Sequence, residues 1–184
     1  MSSLTEFNPT EAIALLTRTP ATLNALLRGM PDIWLLRNEG KETWNAFDVV
    51  GHLISAERAD WMPRVRIVLG YGEARVFDPF DRFAQLNEKR EQSMEELLDD
   101  FAQLRRDSLS ALQGLNLDRE DLTRKGRHPA LGVVSLSELL ATWSVHDLTH
   151  MHQLCRVMAH QYREAVGPWS VYLGVLQCAG HSAP

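Results

Sequence analysis

The chain has 184 residues, 45% hydrophobic and 23% charged, with a formal net charge of -5. Those values suit one compact domain over residues 1–184 with a full core and exclude a disordered or fibrous chain. The acidic balance and the scattered Lys and Arg residues argue against nucleic acid as a partner, because affinity for phosphates rests on clustered cations.

Met1 to Phe7 lacks a basic region followed by an apolar run, so it does not read as a secretory signal. No apolar run approaches the roughly 18 residues that span a bilayer, so no membrane partner is expected and a cytoplasmic location is the default. A first helix is predicted from Pro9 to Arg28, with Ile13, Leu15, Leu16, Leu23, Leu26 and Leu27 at amphipathic spacing. Pro20 should kink or split it, and Gly29 to Pro31 should end it. A loop to Lys41 follows.

Asn45 can cap a second helix that runs to about Leu69, because its side-chain oxygen can accept from a backbone N–H of the first turn. The apolar stripe of that helix is Ala46, Val50, Leu53, Ile54, Trp61, Val65 and Val68, with a kink predicted at Pro63 and a stop at Gly70-Tyr71-Gly72. Glu73 to about Gln92 has little periodicity and reads as a long crossover. Ser93 and Glu96 form a capping box for a third helix, Met94 to Gly114. A second long connection holds the basic run Arg124 to His128, read as a loop. Ser135 and Glu138 form another capping box, opening a fourth helix to about Ala165, before Gly167-Pro168. A short fifth helix is predicted over about Ser170 to Cys178. With no useful strand-like alternation, the predicted class is an all-α helical bundle. Cys155 and Cys178 belong to no CxxC pair and read as reduced, structural thiols.

Three of the seven histidines, His146, His150 and His152, crowd the fourth helix. At about 100° per residue, His146 and His150 lie about 40° apart, on the face of Leu139, Trp143, Leu154 and Val157, whereas His152 falls opposite with Cys155. His160 lies toward the margin. Imidazoles at i and i+4 start from Cβ atoms about 5–6 Å apart and can both reach one ion at about 2.0–2.1 Å. The alternative is a pair of core histidines, each with its own buried polar partner. A metal needs a third ligand, which periodicity does not single out. His52 is the best candidate, beside Asp48, Ala56 and Ala59, a small-residue sector able to border a cavity.

These residues resemble the DinB-like superfamily of four-helix-bundle metal proteins, which includes the YfiT group of metal-dependent hydrolases. Trp44-Asn45, His52-Leu53 and Glu57 match its second helix. His128-Pro129 and Gly132 precede a fourth helix carrying Trp143, His146, Asp147, His150, Gln153 and Arg156, and Val166 to Trp169 fits the tail. The resemblance implies three metal ligands at His52, His146 and His150. It also implies an up-down-down-up topology with a long link between helices two and three.

Three imidazoles leave an open coordination place for water or substrate. The resemblance therefore implies an enzyme using a divalent metal, zinc or nickel ahead of manganese or iron, that hydrolyses a small-molecule substrate or transfers a low-molecular-weight thiol. The alternatives are a non-catalytic, metal-stabilised binding or stress-response module, and a plain bundle with polar core histidines. Asp147 would orient an imidazole, act as a base, or form a surface salt bridge. Glu57, Gln153 and Arg156 would line the cavity, unless Glu57 pairs with Arg64 or another cation. Trp143 and Trp169 read as core or wall, and a homodimer through a helix face is compatible with the pattern.

Overall fold

The computed structural model describes residues 7–87 and 92–178, so residues 1–6 of the leading stretch and residues 88–91 of the first long connection lie outside the described residues. The helices are α1 (Pro9–Leu27), the single turn α2 (Asp32–Leu35), α3 (Ala46–Ala59), α4 (Trp61–Tyr71), the short α5 (Ala84–Asn87), α6 (Met94–Gly114), the short α7 (Arg119–Thr123) and α8 (Leu136–His160). The protein is a helical bundle. Helix α1 packs on α6 and α8, and α3 packs on α6 and α8.

Local sequence explains most boundaries. Asn8 Oδ1 accepts the Thr10 N–H at 3.0 Å to start α1. Asn45 with Asp48, Ser93 with Glu96 and Ser135 with Glu138 form reciprocal capping boxes on α3, α6 and α8, as predicted for the serines; the Asp48 half of the first was not foreseen. Gly29 ends α1 at φ 72, a left-handed backbone suited to glycine.

Pro20 does not split α1, which runs unbroken through it. A proline in a helix frees the carbonyl four residues earlier, here Leu16, and that oxygen accepts from Arg105 Nη1 of α6 at 3.0 Å. The missing helical bond is thus replaced by a tertiary one. In the second predicted helix, the chain breaks at Asp60, between α3 and α4, rather than at Pro63. The carbonyl that Pro63 releases is that of Ala59, so the discontinuity falls where the ladder loses its donor.

The second long connection is not a plain loop. Lys125–His128 (β1) pairs antiparallel with Gly132–Ser135 (β2), with Gly126 opposite Val134. Strands of four residues are too short to show alternation, and the signal that fixes them is tertiary. A Cβ on Gly126 would lie 2.7 Å from the Phe77 ring and 2.8 Å from Val68 Cγ2. Gly126→Ala is therefore expected to cost about 1–3 kcal/mol by overpacking, read as a lower urea midpoint; an unchanged midpoint would show that the hairpin is not seated there.

Two further expectations are corrected at the C-terminal end. Helix α8 stops at His160, and Ser170 to Cys178 forms no α-helix: Gly167–Tyr172 and Gly174–Leu176 are 3-10 turns. Trp169 is 69% exposed, so it is neither core nor wall. Cys155 and Cys178 are free, in accord with their reading as reduced thiols, and both are exposed.

The apolar core divides into one cluster around Leu16, Trp61, Leu109 and Trp143 and another around Leu23, Leu53, Phe101 and Leu154. On α1, α6 and α8 the residues between the two clusters are polar and buried: Thr19, Arg105 and Asp147. That polar layer adjoins the histidines.

Candidate metal centre

Helix α3 delivers His52, and one turn of α8 delivers His146 and His150. His52 and His150 are each 3% exposed, and His146 is half-buried. His52 Nε2 lies 3.1 Å from His146 Nε2, and His150 Nε2 lies 3.1 Å from the same atom. The ligand atoms of the three rings all lie within 4.8 Å of one another. Nitrogens sharing a tetrahedral zinc at about 2.0–2.1 Å stand about 3.3–3.4 Å apart, so the two spacings to His146 match a metal shell within a few tenths of an ångström.

The hydrogen bonds fix which nitrogens face inward. His52 Nδ1 donates to the Arg82 carbonyl at 3.2 Å, and His150 Nδ1 donates to Gln153 Oε1 at 2.8 Å. With their protons on Nδ1, both rings turn Nε2 lone pairs toward His146. His146 Nε2 can donate to one of them at most, which leaves one lone pair against another. A cation at the centre satisfies all three at once, and two of the rings already have the outer hydrogen bond that metal-bound histidines usually make. His146 lacks that bond: its Nδ1 is buried with no hydrogen-bond partner among the described residues, and its ring packs edge-on to Trp61 at 5.0 Å.

Burial, first, and mutual repulsion, second, push His52 down to about 3 and His146 down to about 2; burial also lowers His150. The rings are thus neutral near pH 7, the state that binds metal. A lowered folded-state pKa means the unfolded chain takes up protons first, so stability is full above about 6.5 and falls as pH drops toward the folded values. His52 and His146 together remove about 2–3 kcal/mol between about pH 6 and pH 5. Asp60, which burial pushes up to about 6, titrates in the opposite sense and offsets about 1 kcal/mol of this. Metal-free protein is therefore expected to lose about 1–2 kcal/mol over that unit of pH by urea denaturation, and His146→Gln should flatten the slope; equal slopes for the two proteins would contradict the buried, neutral His146.

A cavity of about 600 Å³ opens beside His52 and His150, walled by Thr43, Trp44, Phe83, Leu86 and Gln153, with Glu42, Asp48 and Arg82 as its charged residues. Trp44 stacks on His150 at 6.2 Å and tilts over His52 at 4.9 Å. The loop before Trp44 is tied internally by Thr43, whose hydroxyl accepts from Glu39 N and donates to the Gly40 carbonyl. Arg156 clamps it to α8 through a bidentate pair with Glu39 at 2.7–3.0 Å.

The other sequence candidates separate into distinct places. Gln153 does line the cavity, but Arg156, 4% exposed, acts through Glu39 instead. Asp147 forms no surface salt bridge and touches no imidazole nitrogen. It is 0% exposed and accepts from Arg105 at 2.6 and 2.9 Å and from Thr19 at 2.6 Å. Glu57 does not reach the cavity or Arg64: its Oε1 accepts from Arg105 Nε at 2.9 Å and Trp143 Nε1 at 3.1 Å. Trp143 is core, stacked on Trp61. Arg105, the centre of this layer, was missed, yet it had a signal: it stands four residues after Phe101 and four before Leu109 on the apolar face of α6. Arg82 had none, since it lies in a segment without periodicity.

The model of the DinB superfamily matches residues 15–154. No curated protein matches the chain. Among solved structures, YfiT from Bacillus subtilis, described as a probable metal-dependent hydrolase with an unusual four-helix bundle topology, superposes with a TM-score of 0.71. Its identity to this chain is 20%, over 90% of this chain and 92% of that one, a likeness of fold.

Proposed function

The chain belongs to the DinB superfamily, and from that premise and the convergence of three imidazoles we propose that it is a metal-dependent enzyme acting on a small molecule, by hydrolysis or by transfer of a low-molecular-weight thiol. His52, His146 and His150 hold the ion in this reading. Zinc and nickel are the first choices in this reading, with manganese and iron next; the imidazole donor set itself suits zinc, nickel, copper and iron alike. One observation carries the proposal: the cluster borders a cavity of about 600 Å³, and no fourth His, Cys, Asp or Glu among the described residues joins it. Catalytic sites keep such an open position, whereas structural ones close it with a fourth protein ligand. That difference favours the enzyme over a non-catalytic binding or stress-response module.

When bound, the ion supplies Lewis acidity, acidifying a coordinated water or thiol and polarising a substrate oxygen. The chain's residues do the rest. The Arg82 carbonyl and Gln153 hold two rings in the ligating tautomer, and Trp44, Phe83 and Leu86 give the cavity an apolar wall. A single domain in the cytoplasm belongs to the same reading; no helix among the described residues is long and apolar enough to cross a membrane. A homodimer through a helix face is a further expectation, read by light scattering.

The test is a screen of metal-loaded wild type and His150→Ala against aryl esters, amides and thiol-plus-electrophile pairs. The expected result is metal-dependent turnover in one class that the variant lacks. Absence of metal-dependent turnover from every class would favour the binding module.

A further inference from the structure

The cavity beside the histidines carries charge that the metal does not explain. Of its two acidic residues, Asp48 is committed to the start of α3, where Oδ2 accepts the Asn45 N–H at 2.9 Å. Glu42 is exposed, on a left-handed backbone at φ 62. Arg82 differs from the buried arginines of the protein. Arg64, Arg105 and Arg156 each have a carboxylate partner, but no carboxylate among the described residues forms an ion pair with Arg82. Its backbone is nonetheless fixed at the centre, because its carbonyl receives the His52 Nδ1–H. Its positive charge also bears on His52, His146 and His150, lowering the basicity of each. An exposed guanidinium with no ion pair among the described residues therefore stands beside a cavity with apolar walls, next to the place where an ion would sit.

Resting on the metal-enzyme reading above, we propose that the substrate is a small carboxylate whose apolar or aromatic body lies against Trp44, Phe83 and Leu86 and whose carboxylate pairs with Arg82, leaving its reacting group at the three imidazoles. The chemistry favours this ligand on three counts. A guanidinium offers a planar fork that matches a carboxylate with two parallel bonds. Trp44, Phe83 and Leu86 offer apolar surface for the body of such a ligand to cover. A cavity of about 600 Å³ falls within the usual range of small-molecule sites. Glu42 and Asp48 both oppose an anion there; Glu42 is the exposed one outside the α3 cap, so its removal strengthens binding.

The experiment titrates metal-loaded protein, with metal content measured on every sample, using phenylacetate, the uncharged phenylacetamide and inorganic phosphate. Phenylacetate should bind at least about tenfold tighter than phenylacetamide, as a charge-assisted pair of about 1.5–3 kcal/mol implies. Arg82→Gln should erase that preference while leaving the amide affinity unchanged, and Glu42→Gln should raise phenylacetate affinity a few-fold. Phosphate, which lacks an apolar body, should bind at least about tenfold more weakly than phenylacetate. A preference that survives Arg82→Gln but vanishes on metal removal would place the carboxylate on the ion and overturn the proposal. Phosphate binding as tight as phenylacetate would also overturn it, assigning Arg82 to bare anions. The two readings fail separately. An Arg82-dependent preference in protein that takes up no metal would refute the metal enzyme alone, and a metal-loaded enzyme without that preference would refute only the carboxylate.

Discussion

Replacing Arg105 with methionine is expected to cost about 3–5 kcal/mol of folding stability, because it leaves buried carboxylates without their cation. Arg105 is 1% exposed and sits between Glu57 at 2.7 Å and Asp147 at 2.6 Å, while Nη1 also serves the Leu16 carbonyl freed by Pro20. Its guanidinium lies over the rings of Phe101 and Trp143 at 5.0 and 5.3 Å. Methionine keeps much of the volume but none of the donors, so the loss isolates electrostatics and hydrogen bonding from packing. Burial already raises Glu57, with Arg105 opposing that rise. Without Arg105 the carboxyl takes up a proton at higher pH, so the deficit should be larger at pH 8 than at pH 6, whereas a simple packing defect is independent of pH. Urea denaturation at both values checks this. A deficit under about 1 kcal/mol would show that the layer is not held by its central charge.

His150→Ala is expected to weaken zinc or nickel binding by more than about 100-fold, whereas Gln153→Ala, which removes only the partner of His150 Nδ1, should weaken it by about 10–100-fold. The order matters more than either figure. His150 supplies a nitrogen 3.1 Å from His146 Nε2, but Gln153 acts only through the 2.8 Å bond that holds the ring in the ligating tautomer. Competition titration against a chromophoric chelator reads both affinities. Equal losses for the two variants, or none for His150→Ala, would remove His150 from the coordination shell. Metal-dependent stabilisation should follow the same order, because an ion at about 100 times its dissociation constant adds about 2.7 kcal/mol.

The sequence was most legible where physics is local. The capping boxes at Ser93 and Ser135 place the starts of α6 and α8 to the residue, since each is closed by groups three positions apart. The His146 and His150 pair was legible for the same reason, as two residues one helical turn apart must share a face. His52 was not legible from spacing. It meets the pair only because α3 packs on α8, a contact that the family resemblance carried and periodicity could not.

The misreadings share one cause. Pro20 looks able to split its helix until the Arg105 donor from α6 replaces the lost bond. Asp147 looks like a surface charge until Arg105 and Thr19 bury it, and Gly126 looks like loop until Phe77 and Val68 close over it. In each case a partner distant in sequence supplies what the local residues lack. Trp169 errs in the other direction, an apolar residue left exposed on a 3-10 turn.

The central claim is that three neutral imidazoles form a ready-made shell for one divalent ion. It is tested most directly by elemental analysis of tag-free protein after loading with zinc or nickel and exhaustive dialysis, beside His150→Ala treated alike. The account expects about one ion per chain in the wild type and none retained in the variant. A wild-type protein that keeps no ion, or a variant that keeps as much as the wild type, would contradict it.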